Sequence, residues 1–88
     1  MQWKDTTGYS RDKPRIATSW SVYLADELKI TVTCGHIYHP GEWVVHCEPW
    51  FNTRPLGKDV VHASQAQEKA LELVREKVAK IAAALAVQ

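Results

Sequence analysis

A period of two constrains this chain more than any other feature. From Ile16 to Phe51 apolar and polar residues alternate through three short segments parted by turn signals, which sends successive side chains to opposite faces of a strand. In the first segment Ile16, Trp20, Val22 and Leu24 share a face with Thr18, while Ser19 and Ser21 take the other. The second repeats the pattern, with Leu28, Ile30, Val32 and Cys34 set against Lys29, Thr31 and Thr33. A loop of Ala25, Asp26 and Glu27 places Leu24 opposite Leu28, Val22 opposite Ile30 and Trp20 opposite Val32. A one-residue slip would send half of these side chains to the wrong face, so the pattern selects this register.

Pro40-Gly41 is the second turn signal, since proline presets the first central position of a turn and glycine accepts a positive φ at the next. Pairing His39 with Glu42 then brings Tyr38 opposite Trp43, His36 opposite Val45 and Cys34 opposite Cys47. The third strand covers about Trp43 to Glu48 and stops at Pro49, which has no amide to donate. One face of the sheet thereby collects Trp20, Val22, Leu24, Leu28, Ile30, Val32, Cys34, Trp43, Val45 and Cys47. A thin sheet with such a face needs a cover.

The cover comes next in the chain. Asn52 to Ala63 reads as a loop, and Ser64 with Gln67 reads as a capping box at the start of a helix. Leu71, Val74, Val78, Ile81 and Leu85 follow at spacings of three and four, widened by Ala66, Ala70 and Ala82. The predicted fold class is therefore α+β: a three-stranded antiparallel meander packed on one face by a long C-terminal helix, a two-layer βββα domain over residues 16–88. Residues 1–15 carry Gly, Ser, Thr, Asp and Pro without an apolar period, and read as a flexible N-terminal arm with a small basic excess. The stripe also suits a coiled-coil seam, and Ile81 to Val87, apolar nearly all round, point to contact with a second subunit.

Composition narrows the function classes. At 88 residues and 45% hydrophobic content the chain supports one small core, and a formal charge of +1 gives no general attraction to nucleic acid or anionic membrane. No segment approaches the ~20 apolar residues of a membrane span, and the start lacks a secretory pattern, so a cytoplasmic protein with reduced cysteines is expected.

Two groups of residues carry candidate chemistry. Cys34, His36 and Cys47 adjoin in the register above and, with His39 or His62, offer thiolates and imidazoles suited to tetrahedral zinc. Reduced cysteines packed as small apolar side chains are the favoured reading, with a cross-strand disulfide as a further alternative. No cofactor is expected. The chain has no phosphate-cradling glycine loop and no Gly-x-Ser-x-Gly elbow, and both cysteines fall on the covered face, so it reads as non-enzymatic.

The second group is the outer face of the sheet, where Tyr23, Lys29, Thr31, Thr33, His46 and Trp50, with Arg54 beside them, combine stacking surface, hydrogen-bonding groups and positive charge. The βββα order resembles, in topology, phage-integrase arm-binding domains and, with a leading helix added, double-stranded-RNA-binding domains. The latter carry lysines where this chain has Gln65-Ala66-Gln67-Glu68. The favoured expectation is a small binding module for protein interaction or self-association, through a sheet edge or the apolar helix tip. Nucleic-acid binding by the outer face and the N-terminal arm is the alternative, and a zinc-stabilised module is the second alternative.

Overall fold

The computed structural model describes residues 2–8, 17–36 and 39–87, with His36, His39 and Pro40 described at the backbone only. It is α+β, as the alternation and the helical stripe require. The sheet, however, has five strands rather than three: β1 (Lys4–Asp5), β2 (Ser19–Leu24), β3 (Leu28–His36), β4 (His39–Cys47) and β5 (Phe51–Pro55), antiparallel and in sequential order, followed by α1 (Ala63–Ala86).

The β2–β3 hairpin has the expected register, with Leu24 opposite Leu28, Val22 opposite Ile30 and Trp20 opposite Val32. Its loop holds Ala25 and Asp26 at φ of 53° and 58°, and the Glu27 amide donates to the Leu24 carbonyl at 3.1 Å.

The β3–β4 pairing differs from expectation. Pro40-Gly41 lies inside β4, and the strands connect through 37–38, outside the described residues, with His36 opposite His39. Cys34 consequently pairs with Trp43 and Val32 with Val45; the expected Cys34–Cys47 and His36–Val45 pairs do not form. Between the pairs Cys34–Trp43 and His36–His39, β4 takes four steps where β3 takes two. The excess forms a bulge at Pro40-Gly41, where Gly41 has φ +78°. The glycine accepts the positive φ foreseen for it, in a bulge instead of a reversal.

The other two strands were not foreseen. β5 occupies the start of the segment read as a loop, pairing Pro55 with Val44, Arg54 with Val45 and Phe51 with Cys47. Its alternation is broken by one extra residue, with Thr53 at φ 57°, so Phe51 and Arg54 both face the helix. In β1, Lys4 pairs with Ser21 and Asp5 with Trp20. The Thr7 hydroxyl secures this segment by accepting from the Thr18 and Ser19 amides at 2.9 and 3.0 Å. Trp3 packs against the core; residues 9–16 lie outside those described.

All ten residues of the predicted apolar face belong to the core: Val22, Ile30, Val32, Trp43, Val45 and Cys47 are buried, and Trp20, Leu24, Leu28 and Cys34 pack against them. Phe51, Leu56, Val60, Ala66, Ala70 and Val74 close the cluster. The helix lies across β3 and β4, and its fully buried alanines at 66 and 70 let the backbone come close to the sheet. It starts earlier than Ser64. His62 is the N-cap, and Gln65 Oε1 accepts from the amides of Val61 and His62, each at 3.0 Å, so Gln65 takes the role assigned to Gln67.

The expected cover extends only part of the way along the helix. Val74 is 2% exposed, whereas Val78, Ile81 and Leu85 on the same stripe are 48%, 43% and 69% exposed. A 24-residue helix is roughly 36 Å long, and from Val78 onward its apolar stripe is largely uncovered by the sheet. The radius of gyration, 14.3 Å, exceeds the about 12 Å of a compact domain of this length for the same reason.

Both sheet edges are blunt. β1 contributes two residues, and β5 combines a bulge with Pro55, which has no amide to offer an incoming strand.

Candidate functional site

The outer face of the sheet is built from hydroxyls. Ser21 Oγ lies 2.9 Å from Thr31 Oγ1 and 3.1 Å from Thr6 Oγ1, and Ser19 Oγ lies 3.2 Å from Thr33 Oγ1. The cross-strand register produces this ladder, because Ser19 faces Thr33 and Ser21 faces Thr31. Much of the hydrogen-bonding capacity expected to meet a ligand is therefore used within the sheet. Ser21 is buried, as is Val44, which stands in register between Thr33 and Pro55.

At one end of this face, Lys29, Thr31 and His46 meet around a shallow groove of about 380 Å³ whose other walls are Glu27, Leu28 and Glu48. Tyr23, 57% exposed, sits opposite Lys29, whose Nζ lies 5.9 Å from the ring centroid. His46 Nε2 is 3.6 Å from Glu48 Oε1. Five of the seven residues proposed for this surface, Tyr23, Lys29, Thr31, Thr33 and His46, thus share the outer face.

Trp50 and Arg54 do not. The turn 48–50, closed by the Trp50 amide donating to the Cys47 carbonyl at 2.9 Å, breaks the period of two and directs Trp50 to the helix side, against the core. The β5 bulge turns Arg54 the same way, its guanidinium 5.2 Å from the centre of the Phe51 ring. Lys77 Nζ approaches that ring at 5.9 Å, and Arg54, Lys77 and Lys80 surround a notch of about 200 Å³ with Phe51, Leu73 and Glu76.

The cysteines stand apart. Trp43, the partner of Cys34, is four residues from Cys47 along β4; both thiols are free, and burial raises the Cys47 thiol above its ordinary value of 9.0. Cys34 and Cys47 therefore lack the adjacency on which a disulfide between them, or a metal site using both, depended. His36 and His39 side chains lie outside what is described, and among the described residues no three His, Cys, Asp or Glu side chains converge as metal ligands.

Two apolar grooves lie where the helix leaves the sheet. One groove of about 270 Å³ is walled by Leu24, Leu71, Val74, Arg75, Val78 and Ala79. A second, of about 310 Å³, is walled by Trp50, Val78, Ile81, Ala82 and Leu85. Val78 lines both, so they meet beneath the overhang. Residues 81–87 contain no charged side chain. The signal for this site was present in the sequence as an apolar tip, but the Leu24 and Trp50 walls come from tertiary structure.

Among the described residues no helix is long and apolar enough to cross a membrane. Compared with protein-family models, with curated proteins and with solved structures, the chain has no match.

Proposed function

We propose that this chain is a small non-enzymatic interaction module that engages a protein partner through the apolar underside of the α1 overhang. The observation that supports it is the continuity of one stripe. Val74, Val78, Ile81 and Leu85 occupy the same helix face; the first is sealed against the sheet and the other three are open to water beside the Leu24 and Trp50 walls. A helix face of this kind is stable in water when something packs on it. The blunt sheet edges favour the helix tip over edge pairing as the means of association.

The nucleic-acid reading is less well supported. With Trp50 and Arg54 on the helix side, the outer groove sets the carboxylates of Glu27 and Glu48 beside Lys29, and these oppose a phosphate.

The test is native mass spectrometry of the purified chain and of an Ile81→Asp/Leu85→Asp variant. The expected result is a species heavier than the monomer, built of further copies or of a foreign chain, that disappears in the variant while the melting of the monomer is unchanged. A bare monomer for both proteins at every concentration overturns the reading.

A further inference from the structure

We propose that Arg54, Lys77 and Lys80 form a site for a single phosphate group, bound as a dianion and supplied by a phosphorylated side chain or by free phosphate. The site is separate from the docking role proposed above. Its notch shares no residue with either groove under the helix, so failure of one reading leaves the other standing.

The placement of the cations comes first. The extra residue in β5, with Thr53 at φ 57°, turns Arg54 to the helix side, where a strictly alternating strand would not put it. Lys77 and Lys80 stand three residues apart on α1, and are therefore neighbours on one flank of the helix. The Phe51 ring joins the two elements, with the Arg54 guanidinium 5.2 Å and Lys77 Nζ 5.9 Å from its centre. Attraction to the ring offsets part of the repulsion between these like charges, and the ring itself is buried in the core and so holds its position.

The charges are not spent within the chain. Among the described residues none of the three cations has a carboxylate within ion-pair distance, Glu76 included, although Glu76 lies one turn before Lys80 and shares the notch.

Charge then selects the ligand. Three cations and one carboxylate line the notch, which leaves a surplus of two positive charges. A carboxylate brings only one negative charge, whereas a phosphate monoester brings about 1.5–2 at neutral pH and three acceptor oxygens, one for each cation. The guanidinium adds a planar pair of donors matched to two of those oxygens. The notch, at about 200 Å³, suits one such group. Beyond Lys80, residues 81–87 have no charge to meet the next phosphate of a polyanion, which favours an isolated phosphate over a nucleic-acid backbone.

The test is a titration of the whole chain with an otherwise uncharged peptide bearing one phosphoserine, followed by amide NMR at fixed ionic strength. Saturable shifts are expected at Phe51, Arg54, Leu73, Lys77 and Lys80, and none with the unphosphorylated peptide. Excess inorganic phosphate should displace the peptide. Comparable affinities for the two identify the free anion as the ligand, and a much tighter peptide identifies a phosphorylated chain. Lys80→Gln, at an exposed position, should weaken binding on the order of tenfold, the effect of losing one charge-assisted hydrogen bond, with melting unchanged. Glu76→Gln, also exposed, should tighten binding by removing the opposing charge. No saturable shift, equal binding of a peptide with aspartate in place of phosphoserine, binding indifferent to Lys80→Gln, or weaker binding in Glu76→Gln overturns the proposal.

Discussion

Replacing Val74 and Leu85 by alanine, one at a time, asks where along α1 the helix stops supporting the fold. The two residues are aliphatic and lie on one stripe, yet Val74 is 2% exposed and Leu85 69%. Val74→Ala removes two buried methyl groups, about 1.6 kcal/mol of transfer free energy at ~0.8 kcal/mol each. The about 50 Å³ left behind adds roughly 1.2 kcal/mol at ~24 cal/mol per Å³. Alanine's higher helix propensity offsets roughly 0.5 kcal/mol. The net loss is about 2 kcal/mol, a large part of the ~4–13 kcal/mol available to a domain of this length. Leu85→Ala trims a side chain that already lies mostly in water, and should stay within about 0.5 kcal/mol. Urea unfolding at a concentration where the chain is monomeric reads both values, and a slope on the order of 1–2 kcal/mol/M turns the difference into a midpoint shift of roughly 1–2 M. Equal losses for the two variants would refute the overhang, because Leu85 would then have to be packed on the sheet.

Three further outcomes follow from particular atoms. Gly41→Ala places a side chain at φ +78° where nothing lies within 4 Å of the new methyl, so the loss of about 1–2 kcal/mol in unfolding free energy is conformational; no change would mean that the bulge has another geometry. Gln65→Ala leaves the amides of Val61 and His62 without their shared acceptor and should lower stability by roughly 0.5–2 kcal/mol, with amide exchange rising first at those two positions. For Cys47, a thiol whose native value is raised contributes stability that is complete below its ordinary 9.0 and is lost as pH climbs from there through the native value. Unfolding free energy should therefore fall from pH 8 to pH 10, less steeply in Cys47→Ala, and at pH 8 a thiol reagent should label Cys34 quickly and Cys47 only on unfolding. Equal labelling rates would contradict the burial.

The first hairpin was legible because its apolar positions are in phase with a three-residue loop, so loop and pattern specify the same pairs. The second was not, because Pro40-Gly41 is a stronger local turn signal than 37–38, and a bulge uses the same two residues as a reversal. The error displaced the partner of Cys34 from Cys47 to Trp43, four residues away. Four is even, so every side chain kept its face and the core was read correctly from a wrong register. That logic failed at Trp50 and Arg54, where a turn and a one-residue bulge change the parity. β5 itself was hidden by Asn52 and Pro55, which read as loop in isolation, and by Thr53 at positive φ. The helix stripe gave the buried face but not its limit, since where the cover ends depends on the length of the sheet beneath it.

The bulged Phe51–Pro55 strand at one side and the two-residue Lys4–Asp5 strand at the other have a consequence for how copies of this chain can accumulate. Among the described residues neither border offers a ladder that a neighbour could continue, so growth by strand addition has no starting point there. Crowding this chain should thus not seed fibrils, which should appear only after the borders have been remade, for instance by deleting Thr53 and replacing Pro55.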